Sequence, residues 1–374
     1  MKKYLFAILS IISVLFLVFF NAGCGNVVSE TTTTTTTSTS STSTSISTST
    51  TTSSSTTIST TTTSTTTTTL PDFSWTEKTG AAAFGARSNH TSVVFDNKMW
   101  VIGGYLTSST TNDVWSSDDG STWVLATPEA AFPPIYDHSS VVFDNKMWVI
   151  GGQIPGTYTN EVWSSSDGVI WAVATPEAAF DKRYGHASVV FDGKIWVIGG
   201  GQPYMSDVWY SNDGIIWTQA TGSAAFGNLF QLSAAVLDGE IWVVGGRDDN
   251  TIFDNTWHSS DGISWNKAGD ISAFGTLSSE SETARMSHTA VTYTVGGDDK
   301  MFVAGGYNSW ITNNYLNDLW YTDNGASWTE APVSAAYPGR SEHASVVFNN
   351  KIWVIGGYDN VSPRLNDVWY SPKP

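Results

Sequence analysis

One segment, Arg183 to Trp217, recurs six times with substitutions and accounts for the chain from Pro71 to its end. Each copy carries a pair of adjacent glycines at the end of an apolar run, and successive pairs lie 46 to 60 residues apart. The six pairs are Gly103-Gly104, Gly151-Gly152, Gly199-Gly200, Gly245-Gly246, Gly305-Gly306 and Gly356-Gly357. A period of this length indicates one supersecondary unit per copy, and such units bury their faces only against one another.

Each copy predicts four short antiparallel strands, here called A, B, C and D. In the third copy, His186 to Phe191 and Lys194 to Ile198 are apolar runs separated by Asp192-Gly193, which is a two-residue hairpin signal. A second turn separates Asp207 to Tyr210 from Ile216 to Thr218. The repeat region has no helical periodicity, so four strands per copy is the simplest interpretation.

Tryptophan recurs at fixed slots of the repeat. Seventeen of the eighteen tryptophans fall at one slot each in strands B, C and D, and the exception is Trp310. Large rings at fixed slots suit the gap between two packed sheets, so we interpret them as core. Trp75 lies 48 residues before Trp123 and fills the strand D that the last copy lacks. We therefore expect the segment from Phe73 to Glu77 to pair with the last copy and close a ring.

Four-stranded sheets repeated at this period are typical of a β-propeller. The repeat also resembles the kelch family, through Arg-x-x-His opening strand A, Val-Ile-Gly-Gly ending strand B, Asn-Asp-Val-Trp in strand C and one Trp in strand D. The Arg and His pairs are Arg87 and His90, Arg183 and His186, Arg285 and His288, and Arg340 and His343. The resemblance implies an all-β, six-bladed kelch-type propeller over residues 71–374, with strand A innermost.

The N-terminus is organised differently from the repeats. A basic Met1-Lys2-Lys3 and an apolar run from Tyr4 to Phe20 lead to Asn21-Ala22-Gly23-Cys24, which resembles the lipobox of bacterial lipoproteins. The resemblance implies a signal peptide over residues 1–23 and lipidation of Cys24 at the start of a short segment, residues 24–30. Asn21 departs from the Leu that is usual there, and an uncleaved membrane anchor is the alternative.

Residues 31–70 form a Thr/Ser-rich tract, which predicts a disordered stalk between the anchor and the propeller. We therefore expect an exported protein, lipid-anchored to the bacterial cell envelope at the outer membrane or cell surface. The chain has 34 acidic and 17 basic residues and a formal charge of −17. Binding of nucleic acid depends on clustered Lys and Arg, so nucleic acid is excluded as a partner.

Candidate binding residues lie on the face that carries the B–C and D–A loops, because those loops vary between copies. There, Arg87, Arg183, Arg285 and Arg340 form a hypothetical ring for an anionic ligand such as a carboxylated sugar. The alternative is that these arginines pair with carbonyls and acids within the fold. The fifth copy has two long loops, which hold Trp310 and Tyr315, and the fourth copy adds Arg247. These are the remaining candidate ligand-binding residues.

The recurring histidines occupy one slot per copy and are interpreted as structural hydrogen-bonding groups rather than metal ligands. Cys24 is the single cysteine of the chain, so we expect neither a cofactor nor a metal site held by thiolates. The sequence favours a monomeric interaction module that recognises a protein or glycan. Some kelch propellers are enzymes, and the alternative that this resemblance implies is a sugar mutarotase of the sialic-acid type at the channel mouth.

Overall fold

The computed structural model describes residues 72–201, 203–270, 284–309, 314–333, 336–362 and 364–371. These residues form six sheets of four antiparallel strands arranged in a ring, and the predicted six-bladed all-β propeller is confirmed. Within these ranges no helix is long and apolar enough to cross a membrane. The predicted signal peptide, Cys24, the stalk and Trp310 lie outside the described residues.

The two inner strands of each blade are a tight hairpin. The A strands are β2 (Thr91–Phe95), β6 (Ser139–Phe143), β10 (Ala187–Phe191), β14 (Ser233–Leu237), β18 (Thr289–Val295) and β22 (Ala344–Phe348). The B strands are β3 (Lys98–Tyr105), β7 (Lys146–Ile154), β11 (Lys194–Gly200), β15 (Glu240–Val244), β19 (Asp298–Tyr307) and β23 (Lys351–Gly357). Each A strand packs against the A strands of both neighbouring blades, so strand A lines the central channel.

The two outer strands complete each blade. The C strands are β4 (Thr110–Ser117), β8 (Thr157–Ser165), β12 (Met205–Ser211), β16 (Asn255–Ser259), β20 (Tyr315–Thr322) and β24 (Leu365–Tyr370). The D strands are β5 (Val124–Thr127), β9 (Ala172–Thr175), β13 (Trp217–Thr221), β17 (Asn266–Asp270), β21 (Thr329–Glu330) and, in blade six, β1 (Thr76–Thr79). Five blades are thus local in sequence, and only the sixth joins the two ends of the repeat region.

The A–B hairpins are specified by their turn residues. In blade one, Asp96 and Asn97 have φ values of 48° and 54°, the left-handed conformation that a two-residue turn of this type requires. Asp, Asn and Gly adopt it at low cost, and every blade uses only these residues at the turn, with Gly296-Gly297 in the fifth. The turn fixes the register, for example Phe95 opposite Lys98, and so decides which side chains face the neighbouring blade.

The spaces between adjacent blades form the core. The strand B tryptophan of one blade lies flat on the C–D turn glycine of the next, and a Cβ on Gly168 would lie 2.1 Å from the Trp100 ring. The pairs are Trp353 with Gly120, Trp100 with Gly168, Trp148 with Gly214, Trp196 with Gly262 and Trp242 with Gly325. The strand B and strand D tryptophans are all buried, in agreement with their interpretation as core.

The ring is closed by the N-terminal strand, as the position of Trp75 predicts. In β1, Thr76 pairs with Tyr370 and Glu77 with Trp369 of β24. Just before this strand, Phe73 and Trp75 are 0% and 3% exposed. Phe73 contacts Phe302 with ring centroids 5.3 Å apart. Phe302, at the strand B position of blade five, has a smaller ring than the tryptophan found there in the other blades. Phe73 fills the space beside it, where the C–D turn of the next blade lies at the other junctions.

We predict that Trp75→Ala lowers the free energy of unfolding by about 3–5 kcal/mol, since it removes a buried ring from the closing blade. Glu77→Ala is the matched control, because Glu77 is exposed in β1, two residues after Trp75, and should change stability by less than about 0.5 kcal/mol. Denaturant unfolding followed by tryptophan fluorescence measures both. Equal effects of the two substitutions would contradict a closing role for this segment.

Candidate functional site

The channel mouth is built from the residue that precedes each histidine slot. This position has φ between 51° and 59° in every blade, which is the left-handed conformation. We call the six residues the mouth ring: Asn89, Asp137, Gly185, Gln231, Ser287 and Glu342. The conformation is unusual for residues other than Gly and Asn, so the surrounding structure must impose it.

Backbone hydrogen bonds between blades impose this conformation. Each N–H of the mouth ring donates to the carbonyl of the same position in the preceding blade, over 2.7 to 3.0 Å. The bond from Asn89 N–H to the Glu342 carbonyl, 2.9 Å, joins blade one to blade six and completes the circle. These peptide groups are therefore all paired with one another, and only the side chains of the mouth ring can recognise a ligand.

A cavity lies under the mouth ring. The mouth ring, the five slot histidines and Leu232 line an open cavity of about 120 Å³. Such a space holds several water molecules or a small polar group. A larger ligand can insert a single side chain or substituent into it.

Two carboxyl groups make one side of the mouth ring acidic. Asp137 and Glu342 are half-buried and flank Asn89, whose Nδ2 donates to Asp137 Oδ1 at 2.5 Å. Burial and the charge of Glu342 raise the pKa of Asp137 to about 7. Burial also raises the pKa of Glu342, against a hydrogen bond from Ser88 and the charge of Arg364. The charge of Glu342 therefore couples the ionisation of Asp137 to its own.

The slot histidines join neighbouring blades, as predicted for structural groups. The Nε2 atom of each bridged histidine lies within hydrogen-bond distance of a hydroxyl from the start of strand A in the preceding blade. The pairs are Thr91 with His138 at 2.9 Å, Ser139 with His186 at 2.8 Å, Ser233 with His288 at 2.6 Å and Thr289 with His343 at 3.1 Å. Burial lowers the pKa of all five histidines, to about 3 for His138, His186 and His343, so the rings are neutral at physiological pH.

Two of the six blade junctions lack this bridge. Between blades three and four both partners are apolar, because Ala187 replaces the hydroxyl residue and Leu232 the histidine. Between blades six and one, Ala344 replaces the hydroxyl residue but His90 remains. Among the described residues, neither ring nitrogen of His90 nor the Ser92 hydroxyl has a hydrogen-bond partner. The carbonyl of Ile355 lies close enough to affect the pKa of His90 but does not complete a hydrogen bond of normal geometry.

We predict that Ala344→Ser raises the free energy of unfolding by about 0.5–1.5 kcal/mol, because the new hydroxyl can pair with His90 as in the other bridges. Ala187→Ser is the matched control, since Ala187 occupies the same buried slot and faces Leu232. There the hydroxyl lacks a histidine, and we expect a loss of about 1–3 kcal/mol. Thermal and denaturant unfolding distinguish the two signs, and stabilisation by both substitutions would contradict the bridge.

The buried histidines also predict how stability depends on pH. Their pKa values are lowered in the folded protein, so the unfolded chain takes up protons first as the pH falls below about 6.5. Asp137 and Glu342 act in the opposite sense because their folded pKa values are raised, but five histidines outnumber two acids. We expect the urea midpoint to fall between about pH 7.5 and pH 5. A midpoint that stays constant or rises over this range would contradict the assignment.

The four arginines of the Arg-x-x-His motifs are structural. Arg87 is fully buried, and its guanidinium donates to both carboxylate oxygens of Asp113, at 2.7 and 3.0 Å, and to the Gly103 carbonyl. The equivalent ion pairs are Arg183 with Asp207, Arg285 with Asp318 and Arg340 with Asp367. Blades two and four, which have Ile135 and Leu229 instead of Arg, also lack the Asp, having Glu161 and Asn255. We therefore assign these arginines to the fold and not to an anion-binding ring.

Half-buried tyrosines surround the mouth ring on the loop face. A short antiparallel bridge in each blade, such as Ser88 with Tyr105, sets the residue after the glycine pair beside the residue before the mouth ring. Adjacent rings are in contact, and Tyr158 stacks on Tyr184 with centroids 4.8 Å apart. We call this surface the aromatic rim: Tyr105, Tyr136, Tyr158, Tyr184, Tyr204, Tyr307, Tyr315 and Tyr358.

Two arginines belong to the aromatic rim. Arg247 lies over the Phe230 ring at 5.1 Å, and Arg364 lies over Tyr105 at 4.4 Å and Tyr358 at 5.9 Å. Of the predicted site residues, the structure thus brings Tyr315 and Arg247 to this surface. Sequence reasoning missed the acids and amides of the mouth ring. The sequence feature that could have revealed them is a residue that varies between copies and directly precedes the recurring histidine.

No group of three or more His, Cys, Asp or Glu side chains in the described ranges could hold a metal ion.

Protein-family models match most of the chain. A model described as Attractin/LZTR1 beta-propeller matches residues 47–316, and one described as Kelch motif matches residues 339–370. The resemblance to kelch repeats is therefore confirmed.

Similar proteins share only a segment with the chain. Leucine-zipper-like transcriptional regulator 1 homolog of Drosophila melanogaster is 42% identical over 93 residues, which are 23% of this chain and 9% of that protein. Leucine-zipper-like transcriptional regulator 1 of Mus musculus is 40% identical over 55 residues, 14% of this chain and 6% of that protein. Host cell factor homolog hcf-1 of Caenorhabditis elegans is 38% identical over 81 residues, 20% and 10% of the two chains. The matched segment is a tenth or less of each relative.

Proposed function

Because the chain belongs to the Attractin/LZTR1 β-propeller family, we propose that its propeller is an interaction module that binds a protein partner on the aromatic rim. A propeller fold alone does not determine a function, so the proposal depends on this surface. The observation that carries it is the cluster of half-buried tyrosines around the channel mouth, on positions that the core does not require.

The rim has the properties of a protein-binding surface. Tyrosine offers a large apolar ring and a polar hydroxyl at little cost in side-chain entropy, and it is enriched among residues that dominate binding energy. The rings are held by contacts with one another, such as Tyr315 between Tyr307 at 5.2 Å and Tyr358 at 5.7 Å. They project from the ends of a rigid set of strands, so little order is lost when a partner binds.

We also propose that the propeller is exported and tethered to the cell envelope through a lipid on Cys24 and the stalk of residues 31–70. The support is the sequence pattern at the N-terminus. Mass spectrometry of the mature protein tests this part separately. A free Met1 or an unmodified Cys24 would contradict the lipid anchor and leave the binding proposal unaffected.

The binding proposal is tested with the full chain and a double variant, Tyr158→Ser with Tyr315→Ser. Proteins cross-linked by the wild type are identified, and the affinity of each is then measured with purified components. We expect the double variant to bind at least about tenfold more weakly, since a buried tyrosine at an interface contributes more than about 1 kcal/mol. The matched control is Ile170→Ser with Ile216→Ser, two exposed residues in the C–D turns of the opposite face.

Retention of the partner by the tyrosine variant, or equal loss in the isoleucine control, would contradict the rim as the binding surface. A glycan array probed with the same proteins is the second measurement. Binding of a glycan that depends on Tyr158 and Tyr315, with no protein partner, would replace the protein by a sugar as the ligand.

A sugar mutarotase is the second candidate, and one observation favours it. Asp137 and Glu342 have raised pKa values at the channel mouth, as a general acid and base working near neutral pH require. Because the mouth carries two carboxyl groups and the four motif arginines are already paired with aspartates, a neutral sugar fits better than a carboxylated one. NMR of anomer exchange tests it, and turnover that Asp137→Asn abolishes would support an enzyme.

A further inference from the structure

The mouth ring carries its charge on one side. Asp137 and Glu342 lie in blades two and six, on either side of Asn89 in blade one, whereas Gly185, Gln231 and Ser287 across the channel are neutral. The residues that line the cavity include no Lys or Arg. The motif arginines are engaged with their own aspartates, and Arg364 is stacked between two tyrosines. A negative charge at the mouth is therefore only partly compensated by the described residues.

A buried histidine, His90, lines the cavity below Asp137 and Glu342 and provides an independent observation. His90 is 5% exposed and differs from the four bridged histidines in that its Nε2 has no hydrogen-bond partner among the described residues. The cause is local, because Ala344 stands where four other junctions have the bridging Ser or Thr. A buried polar group without a partner is costly, and such groups in folded proteins are usually satisfied by water, an ion or a ligand. A neutral imidazole offers one lone pair to a donor.

These groups select one kind of ligand. A primary ammonium group has three N–H donors and no acceptor, and the site offers two carboxylates and an imidazole nitrogen in one small cavity. A cavity of about 120 Å³ suits a compact ammonium better than a planar guanidinium. The aromatic rim above would cover the four methylene groups of a lysine side chain, and its rings attract the cation.

We propose that the channel mouth binds the ammonium group of a lysine side chain that a protein partner inserts between the rim tyrosines. This inference rests on the proposed function and adds the chemistry of the partner's anchor residue. The ammonium group pairs with Asp137 and Glu342 and supplies a donor to His90.

The test uses the full chain and Nα-acetyl-L-lysine methylamide as the probe, with ligand-observed NMR as the readout. We expect saturable binding with a Kd on the order of millimolar, as suits a single side chain. The same probe with an acetylated ε-amine is the neutral control and should bind at least about tenfold more weakly. Equal binding of the two probes, or no binding of either, would overturn the proposal.

Variants localise the binding. Asp137→Asn and Glu342→Gln should each weaken the lysine probe about tenfold, because each removes a charged hydrogen-bond acceptor. Asp144→Asn is the matched control, since it makes the same change at an exposed A–B turn and should leave binding unchanged. Ala344→Ser should also weaken the probe while the protein stays folded, because the new hydroxyl occupies His90.

Unfolding curves of each variant show that a lost signal does not come from a lost fold. Binding that survives both Asp137→Asn and Glu342→Gln would overturn the site. Failure of the lysine probe with a protein partner still held by Tyr158 and Tyr315 would remove this inference and leave the interaction module in place. If the lysine probe binds but no protein partner depends on Tyr158 and Tyr315, the interaction module is contradicted and the ammonium site at the channel mouth remains.

Discussion

The closed circle of backbone hydrogen bonds at the channel mouth is the constraint on which the rest of the propeller depends. One residue per blade is held in the left-handed conformation so that its N–H reaches the preceding blade. The circle closes only when six blades repeat the same rotation. Differences in length between copies therefore lie in the loops, while the mouth ring and the strand A that follows it stay fixed.

The other repeated contacts serve the same closure. Arg–Asp pairs hold the segment before strand A to strand C within four blades, hydroxyl–histidine bridges hold four junctions, and tryptophans on glycines fill the gaps further out. Each set is complete except at particular blades. The exceptions come in matched pairs, such as Ala187 with Leu232, or Phe302 with Phe73, because a partner without its counterpart would be a buried unpaired group or a gap. The junction of Ala344 with His90 is the departure from this rule, and it lies at the acidic side of the mouth.

Much of the fold could be predicted from the sequence because its determinants are local and periodic. The turn residues fixed the hairpins, the tryptophan slots indicated the blade interfaces, and the position of Trp75 predicted the closing strand. The candidate site was predicted less well. Tyr315 and Arg247 do lie on the rim, but Arg87 and its equivalents form ion pairs with aspartates that lie 24 to 33 residues later in the chain. That pairing depends on how the segment before strand A reaches strand C across the end of strand B, which the motif does not state.

The sequence by itself determined the number of blades, the strands within each blade and the way the ring closes. These follow from a repeated pattern that each copy carries within itself. Only the tertiary structure decided which residues meet at the axis, because Asn89, Asp137 and Glu342 are far apart in the chain and become neighbours when blades one, two and six come together. The acidic mouth, and the His90 Nε2 beneath it that has no partner among the described residues, exist only in the closed ring.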